Sequence, residues 1–159
     1  MVETDRITSK ITRAREQLLK AVEGMGEDQM AQEHGESWSI REILHHIGIA
    51  ERANMTLVRS VLAGDPARLE DFDLDAFNVE HVSKHAHLPA ATALETLQDF
   101  RQQTLNTLQN LTEEELATIL DHPGWGEMTI AQLLRALGVH DTMHRRDIMK
   151  RIEGSYGSK

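Results

Sequence analysis

The chain has 159 residues, 40% of them hydrophobic and 27% charged, with a formal net charge of −9 and no cysteine. That length fits one domain spanning residues 1–159; the acidic balance argues against nonspecific nucleic-acid binding, which needs a basic surface; and no segment has the ~20 apolar residues of a membrane span. Without cysteine there are no disulfides and no protein thiolates, any metal must be held by nitrogen and oxygen, and a cytoplasmic location is expected, since MVETDRITSK also lacks the apolar core of a signal peptide.

Ile7, Ile11, Ala14, Leu18 and Val22 recur at steps of three and four, which predicts a first helix over about residues 4–23 with one apolar stripe. GMGEDQMAQEHGES breaks that pattern. Ser39 with Glu42 forms a capping box, so a second helix starts there and runs to about Ala63, where Gly64-Asp65-Pro66 stops it. Residues 65–88 are the least regular, with a short crossover helix expected near 75–86. Pro89 suits the first turn of a third helix, whose apolar face is Leu94, Leu97, Leu105 and Leu108. Thr112 to Glu115 is a second capping box and predicts a short helical turn. DHPGWGE reads as a loop. Thr129 with Gln132 repeats the capping arrangement and opens a last helix to about Ile152, with Arg145, Arg146, Lys150 and Arg151 in its final turns, where cations suit the helix dipole. Four long helices with a long second-to-third connection and no strands predict an all-α four-helix bundle.

SIREILHHIGIAERAN at 39–54 and TIAQLLRALGVHDTMH at 129–144 share a skeleton. At an offset of 90 residues Ser39 matches Thr129, Ile40 Ile130, Glu42 Gln132, Leu44 Leu134 and Gly48 Gly138. The second and fourth helices then hold equivalent places in two helical hairpins; two capped amphipathic helices that look alike by default are the alternative. In that frame His46 matches Ala136, His140 matches Ala50 and His144 matches Asn54, so the histidines fall at complementary points of one inward track. His140 and His144 are one turn apart on one face, their backbones ~6 Å apart along the axis. That spacing allows two imidazoles to meet one ion at ~2.0–2.1 Å, and His46 supplies a third. Three protein ligands with an open position is the pattern of a catalytic site. Against this, His46 could be a satisfied core histidine and His144 a helix-end cation. A rival group, His81, His85 and His87, sits in the irregular segment and reads as a solvated face or pocket wall. His45 is about 100° round the helix from His46, and His34 and His122 fall in loops.

These residues together resemble the DinB-like superfamily of bacterial four-helix proteins. The resemblance rests on Trp38-Ser39-Ile40 leading to Leu44-His45-His46-Ile47 and Glu51, then Asp75-Ala76-Phe77-Asn78, Leu97 with Arg101, and Gly138-Val139-His140-Asp141-Thr142-Met143-His144-Arg145. It covers nearly the whole chain. It implies an up-down-down-up bundle, often dimeric, with a divalent metal on three histidines, which by position are His46, His140 and His144. It also marks Asn78 and Arg101 as candidate cofactor-binding residues. Where many relatives resemble His-Arg-Gly-Gln-Ile, this chain reads His144-Arg145-Arg146-Asp147-Ile148, so Arg146 and Asp147 change the surroundings of the site.

The resemblance implies a metal-dependent S-transferase using a low-molecular-weight thiol such as bacillithiol, mycothiol or glutathione. The ion, zinc or nickel first among the candidates, would deprotonate the thiol, and the thiolate would attack a small electrophilic substrate. Arg101 could fork onto a carboxylate of thiol or substrate; its alternative is a surface or hairpin salt bridge. Trp38 reads as a core or hairpin anchor. A second reading is metal-dependent hydrolysis, for which Glu42 and Asp141 are poor bases: one caps its helix and the other faces elsewhere. A third is a non-catalytic, stress-associated binding protein. Neither a nucleic acid nor a membrane is expected as partner. A homodimer is, with Met25, Met30 and Phe72 as the apolar residues in surface segments.

Overall fold

The computed structural model describes residues 2–65 and 73–157. Four long helices, α1 (Glu3–Val22), α3 (Ile40–Leu62), α5 (Ala90–Gln109) and α7 (Ile130–Gly157), carry the fold; α2 (Glu27–Met30), α4 (Leu74–His85), α6 (Glu113–Leu116) and a hairpin of β1 (Ile119–His122) and β2 (Gly126–Thr129) lie between them. The predicted stripe of α1 is buried along its whole length. Ser39 and Glu42 make the expected capping box, as do Thr112 and Glu115. Thr129 and Gln132 exchange the same two bonds at 2.8 and 3.1 Å. Pro66 and Phe72 lie outside the described residues. No helix is long and apolar enough to cross a membrane among those described.

Helix directions follow from the residues that meet. Glu3 pairs with Arg135, Gly138 faces Ile11 and Arg15 bonds Asp141, so α1 and α7 run parallel. Gly48 faces Leu97 and Glu51 bonds Arg101, so α3 and α5 run parallel. Trp38 meets Arg151 while His46 meets His140, so α3 and α7 are antiparallel. The bundle is therefore up-down-down-up.

The core is two apolar clusters with a charged layer between. One gathers Ile7, Ile11, Val58, Leu108, Ile130 and Leu133; the other Leu18, Ile43, Ile47, Leu97 and Ile148. Between them Arg15 of α1, Glu51 of α3, Arg101 of α5 and Asp141 of α7 form a closed buried network, with bonds of 2.7 to 3.3 Å. Thr104 donates to Glu51 at 2.8 Å. The layer carries the repeat. Glu51 and Asp141 are 90 residues apart, the offset that aligns α3 with α7. Arg15 donates to the carbonyl of Leu97 at 2.7 Å, and Arg101 donates to that of Ile11 at 2.6 Å, two bonds that exchange under one offset between α1 and α5. The two hairpins are thus related by an approximate twofold.

Three expectations need correction. Residues 119–129 form an antiparallel hairpin instead of a plain loop, closed at Gly126, whose φ of +78° favours glycine. The last helix continues to Gly157, so Arg145 and Arg146 lie in its body, not its final turns. Met30 is 4% exposed and Met25 packs against the core, so neither offers a free docking face.

Candidate metal centre

His46 lies in the second turn of α3, and His140 and His144 lie on consecutive turns of α7. Because α3 and α7 pack antiparallel, the three rings face one another. The Nε2 atoms of His46 and His140 are 3.2 Å apart, and those of His144 and His140 are 3.1 Å apart. Ring planes cross at 63° to 83°, so each ring turns an edge toward a shared point. Among the described residues, these three form the one group of His, Asp or Glu side chains close enough to share an ion.

Electrostatics prepare the rings as neutral donors. Burial drives His46 down to about 3, with a smaller push from His144. His140 falls to about 2, through burial first and then through His144, His46 and Arg15. His144 is lowered by burial, and Asp147 opposes that shift. The Nδ1 of His144 lies 3.1 Å from Asp147 Oδ2. A carboxylate only accepts, so His144 donates Nδ1–H and keeps Nε2 bare. Trp38 covers His46 with ring centroids 4.9 Å apart.

The donor set fits a divalent ion. Tetrahedral bonds of ~2.0–2.1 Å put ligand nitrogens ~3.4 Å apart, close to the 3.1 and 3.2 Å from His140 to its two neighbours, and all three donor atoms lie within 4.8 Å of one another. A proton on His140 Nε2 could satisfy one neighbour at a time, whereas a cation satisfies all three lone pairs together. His46 Nδ1 is buried with no hydrogen-bond partner among the described residues, so no second bond fixes the tautomer of that ring.

The sequence pattern of the DinB superfamily matches residues 10–148. The chain belongs to the DinB superfamily. A relative from Oceanobacillus iheyensis, "Putative metal-dependent hydrolase OB0413", is 22% identical over 140 residues, covering 87% of this chain and 79% of the relative. Among solved structures, the Sibling Lethal Factor Precursor DfsB superposes with a TM-score of 0.81 at 19% identity, covering 98% of both chains. A mycothiol-dependent maleylpyruvate isomerase gives 0.78 at 9% identity, over 91% of this chain and 60% of that one. These structures share the bundle.

The other residues singled out by the DinB resemblance take different places. Of the two readings of Arg101, a free fork or a salt bridge, the geometry matches the salt bridge. Every nitrogen of its guanidinium is engaged, by Glu51, Asp141 and the carbonyl of Ile11, and the side chain is 6% exposed. Its ion pairs lie in the core and not at the surface. Asn78 sits partly exposed on α4, which packs against α3. Glu42 stays with Ser39, 3.0 Å from its hydroxyl. His45 is buried against the carbonyl of Leu88 at 3.2 Å. His81 and His85 bond carbonyls one turn back, at 2.9 and 2.7 Å.

His122 gains a role that its loop position did not signal. Its Nδ1 accepts from the backbone N–H groups of Gly124 and Trp125 at 3.0 and 3.1 Å, so its Nε2–H donates to Asn54 at 2.9 Å. Stacked on Trp125, it pins the hairpin to α3. A separate groove of about 810 Å³ between α1 and α7 is lined by Arg6, Lys10, Arg13 and Arg146; those cations would repel a metal ion, and none of the three histidines reaches it.

Proposed function

We propose that this chain is a metal-dependent enzyme that uses a divalent ion on His46, His140 and His144 to activate a small-molecule thiol for S-transfer. The convergence of three neutral Nε2 donors carries this reading. A divalent ion there, zinc or nickel first, supplies Lewis acidity that deprotonates a thiol near neutral pH. The chain's own groups hold the ion, exclude water on the Trp38 side and leave the nucleophile to come from outside, since there is no cysteine. Bacillithiol, mycothiol and glutathione are the candidate thiols, and a small electrophile the partner. Asn78, partly exposed on α4, which packs against α3, is the candidate polar contact for one of them carried over from the family resemblance.

The fate of the carboxylates favours transfer over hydrolysis. Glu42 is committed to its cap, Glu51 and Asp141 to the buried network, and Asp147 to His144. None is free to serve as a general base toward water. The name of the Oceanobacillus iheyensis relative favours hydrolysis as the second reading; the mycothiol dependence of the maleylpyruvate isomerase supports the thiol reading.

Zinc-loaded protein incubated with each thiol and a general alkylating electrophile should give conjugate at a rate lost in His140→Ala. Ester turnover without thiol would replace transfer by hydrolysis. Silence in both assays, with one equivalent of metal bound, would leave a non-catalytic binding protein.

A further inference from the structure

Asp147 departs from the pattern of the resemblance and has no part in the transfer step. It stands three residues after His144 on α7, where i, i+3 side chains meet. Its side chain is 34% exposed, and Oδ2 receives the Nδ1–H of His144 at 3.1 Å. Its own backbone carbonyl accepts from Arg151 Nη1 at 3.2 Å, and Arg151 Nε donates to the carbonyl of Trp38 at 3.0 Å. Trp38 in turn lies against His46. A continuous chain of contacts therefore runs from one proposed ligand, through Asp147 and Arg151, to another on the opposing helix. His46 has no such anchor at its Nδ1.

We infer that Asp147 is the positioning residue of this metal centre: by holding the Nδ1–H of His144 it fixes the ring's tautomer and angle, so that Nε2 is presented bare to the ion. The inference rests on the reading of His46, His140 and His144 as ligands. Carboxylates hydrogen-bonded to ligating histidines act in this way, and their loss weakens metal affinity by ~10–100-fold. Asp147→Asn keeps an oxygen acceptor and removes the charge; Asp147→Ala removes both.

Two measurements test it. In metal-free protein, ¹⁵N-histidine NMR should show His144 as the Nδ1–H tautomer in the wild type and in Asp147→Asn, and a mixed population in Asp147→Ala. Zinc competition with a chromophoric chelator should then show one site in all three proteins. The dissociation constant should rise ~10–100-fold in Asp147→Ala and less in Asp147→Asn. Circular dichroism checks that each variant is folded. Affinity within twofold of wild type in Asp147→Ala, with the tautomer unchanged, would overturn the role of Asp147 alone. A wild type that takes up no zinc would overturn the ligand assignment and this inference with it.

Discussion

His140 is the middle ring of the three, within 3.2 Å of both others, so its removal takes away the bridge of the donor set. His140→Ala should lose one equivalent of zinc by elemental analysis while keeping the helical circular dichroism of the wild type; retained zinc would mean that the ion sits elsewhere. The rings also set a pH dependence. His46 is held at about 3 in the folded chain against an ordinary 6.5. Between those values the unfolded chain binds a proton that the folded chain refuses, so stability falls as pH drops below 6.5. At pH 5 the loss from His46 alone is about 2 kcal/mol. Glu51, lowered by Arg101 and Arg15 against its own burial, keeps its contribution until the pH falls further. Metal-stripped protein should therefore melt several degrees lower at pH 5 than at pH 7, and an unchanged melting temperature would sink the account. The approach of the three rings was legible in the sequence because helical spacing puts positions 140 and 144 on one face and the caps at Ser39 and Thr129 set the register of His46. Arg101 was not: a buried network has no signature in spacing, because its partners lie 40 to 90 residues away.

Helix contacts turn on two glycines at equivalent places in the repeat. A Cβ built on Gly138 meets Ile11 and Lys10 at 3.6 Å, ordinary contact, so Gly138→Ala should fit and gain ~0.4–1 kcal/mol from helix propensity and reduced unfolded-state freedom. Gly138→Leu should wedge α1 from α7 and lose ~1–3 kcal/mol. At Gly48 the same methyl meets Thr96 at 3.3 Å, so Gly48→Ala should gain less than Gly138→Ala. Urea denaturation of the three variants ranks them, and an equal loss for both alanines would contradict the contact geometry. The long helices were readable because each carries a buried stripe and two of the four, α3 and α7, open on a capping box. The hairpin was not, since its strands have four residues each, too few for alternation to show, and it is secured by His122 to Asn54, a contact that spans 68 residues.

At the scale of the molecule, helix number followed from periodicity, but the direction of each helix came from family resemblance and is physically fixed by the charged layer. Arg15 and Arg101 each reach both Glu51 and Asp141, so all four helices are tied at one level. With all four side chains at most 6% exposed, two cations and two carboxylates balance, and losing one carboxylate leaves a buried charge uncompensated. Breaking such a set typically destabilises by ~3–5 kcal/mol. For a chain of this length that lowers the melting temperature by roughly 6–20 °C in Glu51→Ala. Glu51→Gln keeps the shape and an oxygen acceptor, so its loss should be smaller. The bonds of the layer reach no imidazole, and its role is to hold α7 in register against α1 and α5. Folded Glu51→Gln should therefore still bind one zinc, with affinity weakened by any slip in register and by the less compensated charge of Arg15 near His140. Scanning calorimetry with zinc titration separates the two effects. A melting temperature within about 2 °C of wild type in Glu51→Ala, well short of the expected drop, would show that the layer does not fix the bundle, and the approach of His46 to His140 would then need another cause.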